Sequence, residues 1–183
     1  HVEYNSTKVS KNIGLLTRAR RVFTKSTMAN LYYSFIYLYL TYCLSVWGNT
    51  SDKNLIKLHR LQKRIMRIIH GVNRRHSSDP LFKNSQILDI YKLYKYQLSI
   101  FCFKYTNNLL PTLFNDSFTL VSDVHRYPTR SSNLYYVPRF RTIIGQKSFR
   151  YLAPTLWNNT PDELKSLPKI AKFKKEMKIY LLA

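Results

Sequence analysis

The chain has 183 residues, of which 30 are Lys or Arg and only 9 are Asp or Glu, giving a formal charge of +21 and a pI near 10.1. An excess of that size favours a polyanionic partner, while 45% hydrophobic and 15% aromatic residues exclude a disordered basic tail. Two cysteines without C-x-x-C spacing exclude a disulfide framework and a cysteine zinc site.

Val9 to Phe23 has helical spacing, with Ile13, Leu16 and Ala19 on one side. Arg18, Arg20 and Arg21 load its C-terminal end, where the helix dipole favours cations. Ser26 or Thr27 is placed to cap a second helix, expected to run to Trp47. No charge occurs from Met28 to Trp47, a run long enough to cross a bilayer. Tyr32, Tyr33, Tyr37, Tyr39 and Tyr42 are spread through its middle, however, whereas membrane helices keep Tyr at the interfaces. A central helix of a packed domain is the expectation. Cys43 and Cys102, each in an apolar helical context, are expected as buried free thiols.

Lys53 to Ile69 reads as a two-faced helix, capped at Ser51 or Asp52 and stopped at Gly71. Leu55, Leu58, Leu61, Ile65 and Ile68 are its expected inner face. Lys53, Lys57, Arg60, Arg64 and Arg67 fall within an arc of roughly 80° at about 100° per residue. No acid lies between Lys53 and Ser78, so nothing in that span neutralises the stripe. A solvated outer face normally mixes signs, and this one does not. The connector Gly71 to Ser78 adds Arg74, Arg75 and His76.

Asp79-Pro80 predicts a short helix to Asn84, and Asp89 caps a longer one with Ile90, Leu93, Tyr94, Leu98, Phe101, Cys102 and Tyr105 inward. Asn107 and Asn108 end it, and Pro111 opens another short segment. From Ser122 to Gly145 periodicity is lost. Leu134–Val137 and Phe140–Ile144, interrupted by Pro138, predict one or two short edge strands. Thr160, Pro161, Asp162 and Glu163 have the pattern of a capping box with proline at the first helical position. A terminal helix follows Ser166 and Pro168, with Ile170, Phe173, Met177, Tyr180 and Leu181 inward and Lys169, Lys172, Lys174, Lys175 and Lys178 outside. The expected fold is mainly α: a basic helical bundle over residues 1–76, then a mostly helical lobe over 77–183 with an irregular segment near 122–145.

Catalytic patterns are missing. The only adjacent acids are Asp162 and Glu163, the four glycines are isolated, and His59, His70, His76 and His125 form no H-E-x-x-H arrangement. The expectation is a non-catalytic chain without a metal or other cofactor of its own.

The order of landmarks is itself informative. It begins with Lys8-x-x-x-Asn12-Ile13-Gly14-Leu15-Leu16, then Leu31-Tyr32-x-Ser34-x-Ile36-Tyr37, Leu40-Thr41-Tyr42-Cys43 and Val46-Trp47-Gly48. Leu61-Gln62-Lys63-Arg64, Arg67-Ile68-Ile69, Gly71 and Asp79-Pro80-Leu81-Phe82 follow. Leu109-Leu110-Pro111, Tyr127-x-Thr129-Arg130, Pro138-x-x-Arg141-Thr142, Leu156-Trp157-Asn158, Pro161 and Phe173-Lys174-Lys175 complete the series. In these residues the chain resembles the C-terminal part of the reverse transcriptase of non-LTR retrotransposons of the jockey and chicken-repeat type, over about Lys8 to Leu182. One departure is Leu38, where such sequences usually carry proline; a straighter helix is expected from it.

The resemblance implies a thumb that grips a primer–template duplex, followed by a C-terminal domain, in an element copying RNA by target-primed reverse transcription. The palm with its aspartate pair and Mg would lie upstream of His1 and cover part of the apolar Met28–Trp47 surface. Expected partners are RNA and DNA, met through backbone phosphates with little sequence readout, and that palm; no membrane is expected. The expected location is an intracellular ribonucleoprotein, nuclear and cytoplasmic. The candidate nucleic-acid residues are Lys53, Lys57, Arg60, Arg64, Arg67, Arg74 and Arg75, with Arg130, Arg139 and Arg141 in the second lobe serving either as contacts or as loop anchors. Trp157 is expected as a core anchor, and Tyr135 and Tyr136 as stacking platforms for unpaired bases. Two other classes remain open: a docking module whose charge serves assembly only, and a membrane-anchored basic protein.

Overall fold

Helical periodicities translate into a mainly α architecture in a computed structural model that describes residues 1–124, 127 and 130–183. Two compact units form, His1–Tyr94 with Leu181–Ala183, and Lys95–Tyr180. The sequence expectation put the division at 76/77. It falls later because Phe82 stacks on His59 and the Leu88 carbonyl accepts a bond from Gln62, which binds that segment into the first core.

The first unit holds α1 (Val2–Ala19), α2 (Lys25–Tyr32), a π-helical turn (Tyr33–Tyr37), α3 (Leu38–Thr41), α4 (Leu44–Trp47), α5 (Asp52–His70) and α6 (Asp79–Asn84). The unit boundary lies inside α7 (Ile90–Thr106). Val9, Ile13 and Leu16 of α1 are buried with Leu58, Ile65, Met66 and Ile69 of α5. Met28, Tyr32, Ile36, Leu40 and Leu44 join them, all fully or almost fully buried at strict four-residue intervals. In an α-helix such a stripe drifts about 40° per step. The π turn, with one extra residue, takes up about 100° of that drift and returns Leu40 and Leu44 to the core.

The second helix is therefore not one regular α-helix to Trp47. It passes through the π turn before Leu38 and breaks at Cys43, whose φ is +50°. α1 and Trp47 stitch the irregular backbone: Asn12 Nδ2 donates to the Phe35 carbonyl at 2.7 Å, Asn5 Nδ2 to that of Tyr39 at 2.9 Å, and Trp47 Nε1 to that of Tyr42 at 2.7 Å. These side chains serve carbonyls near a helix break, which a regular helix would have paired. Cys43 is consequently exposed rather than buried, whereas Cys102 is buried and its thiol is pushed up to about 12 by desolvation. The cap of α2 is Thr24, upstream of the expected Ser26 or Thr27. Among the described residues no helix is long and apolar enough to cross a membrane.

The rest of α7 in the second unit is followed by a 3₁₀ turn (Thr112–Phe114), α8 (Val121–Val124), α9 (Ile143–Gln146), α10 (Phe149–Asn158), α11 (Asp162–Lys165) and α12 (Ile170–Leu182). Asp89 Oδ1 caps α7 by accepting from the Tyr91 and Lys92 amides at 2.9 Å each. Asn108 ends α7 at φ +53°, a left-handed conformation Asn tolerates. Trp157 is buried beside Phe173, which in turn stacks on Phe103 at 4.4 Å between ring centroids. On α12 only Phe173 and Met177 are buried; Tyr180 is exposed.

Three local expectations change. Strand structure among the described residues reduces to one antiparallel bridge, Leu120 to Tyr135. Asn158 extends that bridge as a strand would, its Nδ2 donating to the Tyr135 carbonyl at 2.8 Å and its Oδ1 accepting from the Tyr135 amide at 3.1 Å. Ile143 and Ile144 open α9, capped by Thr142, instead of ending a strand. The capping box at Thr160 does not form: its hydroxyl donates to the Leu156 carbonyl, and Pro161 is the N-cap of α11.

Candidate nucleic-acid interface

The basic helix is α5, ended by Gly71 at φ +65° with the Val72 amide returning to the Arg67 carbonyl at 3.1 Å. Its buried face comprises Leu55, Leu58, Gln62, Ile65, Met66 and Ile69. Leu61 and Ile68, expected there, are only half-buried. Helical geometry explains the shift: relative to Lys53 they stand at about 80° and 60°, beside the cationic arc, while the six buried residues occupy about 120–220°. Gln62 enters the core because its amide has partners, donating at 2.9 Å to both the Tyr32 hydroxyl and the Leu88 carbonyl.

Lys53, Lys57, Arg60 and Arg64 are exposed, as the stripe requires. Arg67 is half-buried, with its Nε donating at 2.8 Å to the His76 carbonyl, which ties the connector to the helix.

What periodicity alone does not reveal is the neighbour. α1 lies alongside α5, and two adjoining grooves follow their seam. One, of about 740 Å³, is lined by Thr17 of α1 and Arg20 just past its end, together with Arg60, Leu61, Lys63, which pairs with Asp79 at 3.7 Å, Arg64, Arg67, Ile68, Gly71, Val72 and Arg74. The other, of about 680 Å³, is lined by Ser10 and Lys11 of α1 with Lys53, Ile56, Lys57, Arg60 and Leu61. Arg60 and Leu61 belong to both. Among the described residues no carboxylate lines either groove. Lys11 and Arg20 were missed as site residues. Arg20 reaches Gly71, where an added Cβ would meet its Nη2 at 2.5 Å; a glycine stop beside a cation-rich helix end is the signal that was available.

Arg74 thus joins the stripe, while Arg75 lines neither groove; Arg130, Arg139 and Arg141 are exposed residues of the second unit. Thr129 and His125, named in the sequence motifs, lie outside the described residues. Tyr135 is not a free platform. Its ring meets Tyr105 and Phe118, and its hydroxyl pairs with Thr106 Oγ1 at 3.0 Å. Two histidines of α5, packed against Phe82 and Tyr91 and against Ser85, are held towards neutrality: burial, then the Lys63 charge, lowers the pKa of His59, and burial, then Lys25 and His76, lowers that of His70. Among the described residues no group of three His, Cys, Asp or Glu side chains is placed to hold a metal ion. Along the seam, exposed cations stand beside the half-buried aliphatic side chains Leu61, Ile68 and Val72.

No family model matches the chain, and no curated protein or solved structure matches it either.

Proposed function

We propose that the chain is a non-catalytic nucleic-acid-binding part of an RNA-directed DNA polymerase, gripping RNA or a primer–template duplex during target-primed reverse transcription. The observation that carries this is the α1–α5 seam, where cations from two helices and a connector converge with no carboxylate among the lining residues. Such an array binds backbone phosphates in register without reading sequence. The polymerase assignment rests on the order of sequence landmarks. The exposed apolar side of α3 and α4, with Leu38 61%, Tyr42 67% and Val46 73% accessible, is offered as the surface that meets an upstream palm. In this proposal the assembly works as an intracellular ribonucleoprotein.

Fluorescence anisotropy with an RNA–DNA hybrid duplex across a salt series tests it. About five neutralised phosphates give a log K against log salt slope near −4 to −5. Replacing Lys53, Lys57, Arg60 and Arg64 together by Gln should weaken binding alike for unrelated sequences and flatten the slope. These side chains are exposed, so the helical circular dichroism should not change. Unaltered affinity and slope would reduce the stripe to a solvated face.

A further inference from the structure

We propose that the α1–α5 seam is built for a single strand with unpaired bases, and that a duplex engages only its rim. This rests on the nucleic-acid function proposed above and names the form of nucleic acid the seam selects.

Width is the first argument. Packed helices stand about 8–10 Å apart axis to axis, so the depression between α1 and α5 is narrower than one helix. A B-form duplex has a major groove that alone is about 12 Å across. A body of that size rests on the exposed rim residues Lys53, Lys57, Arg60 and Arg64 and does not descend between the helices. A single strand does.

The second argument is what lies below the rim. Leu61, Ile68 and Val72 form a half-buried aliphatic floor. Towards a protein, a duplex turns phosphates, sugars and the edges of its bases, and an aliphatic floor offers these little. An unpaired base has two apolar faces and gains by covering such a floor. Arg67 stands at the same depth, half-buried, with its Nε committed to the His76 carbonyl. That bond orients the guanidinium and leaves its Nη donors for phosphate.

Continuity is the third. The two grooves share Arg60 and Leu61 and run beside a 19-residue helix, about 28 Å long at 1.5 Å per residue. Cations stand along both sides: Lys11 comes from α1 and Arg20 from just past its end, the others from α5 and its connector. The arrangement is a charged channel with an apolar bottom, which suits a strand whose phosphates and bases face different ways.

The test uses the full chain and two labelled probes of equal length, oligouridylate and a blunt RNA–DNA hybrid duplex. Anisotropy is read at one moderate salt concentration. Oligouridylate should bind several-fold more tightly. Val72→Gln and, separately, Ile68→Gln should weaken oligouridylate about tenfold and the duplex less than about twofold. Val72 lies outside α5, so its variant tests the floor even if the helical one fails to fold by circular dichroism. Tighter binding of the duplex, or equal effects of the floor variants on both probes, would overturn the proposal. Were the rim variants to abolish binding while the floor variants changed nothing, the nucleic-acid function would stand and the single-strand assignment would fall. Absence of binding to either probe would remove both.

Discussion

Gln62 is completely buried, and its side-chain amide joins three parts of the first unit. It donates to the Tyr32 hydroxyl of α2 and to the Leu88 carbonyl ahead of α7, each at 2.9 Å. Gln62→Leu keeps most of the volume and strands both acceptors. A stranded buried polar group costs about 1–3 kcal/mol, and two set the gross loss. Gln62 Oε1 is itself buried without a partner, so removing it offsets part of that. We expect a net loss of about 2–4 kcal/mol. Tyr32→Phe supplies the control. Alone it removes one hydrogen bond, at about 1 kcal/mol. On the Gln62→Leu background it deletes a hydroxyl already stranded and should return about 1 kcal/mol. The two changes therefore couple by about 2 kcal/mol with a definite sign. Urea unfolding followed by circular dichroism measures all four proteins. A Gln62→Leu protein within about 0.5 kcal/mol of the parent, or an additive cycle, would refute the claim that this amide bridge holds the unit together.

Two further outcomes follow from the same packing. Leu58→Ala, at a fully buried position, should cost about 2–5 kcal/mol, and Leu61→Ala, half-buried at the groove floor, less than about half as much; equal losses in urea unfolding would put the inner face of α5 where periodicity alone suggested. Because the pKa values of His59 and His70 are lowered from 6.5 in the fold, the unfolded chain takes up protons that these side chains refuse. Stability should be full above about pH 6.5 and decline as pH falls below it, a decline lessened in His59→Gln; a flat profile from neutrality downwards would contradict the burial of these rings.

Local chemistry was legible without a structure. The 3.6-residue spacing specified α5 and its cationic arc, Gly71 its stop, Asp89 the start of α7 and Asn108 its end. Each depends on residues within about one turn of one another, so neighbours in sequence suffice. The irregular turn was not among them: Met28 to Trp47 is apolar nearly all round, so one helix was expected, and only the joint burial of Met28, Tyr32, Ile36, Leu40 and Leu44 shows why a π turn is needed. Other features depended on distant segments. Leu61 and Ile68 left the core because six better-placed side chains filled the buried arc. Tyr135 lost its availability to Tyr105, Phe118 and Thr106, and Asn158 became a strand partner only once α10 was packed. The stripe itself was written in one helix, but the groove was not. Lys11 and Arg20 are far from α5 in sequence and come beside it only because Val9, Ile13 and Leu16 bury α1 in the same core. Periodicity determines which face of a helix is cationic; the helix packed beside it decides whether that face is a convex surface or the wall of a channel.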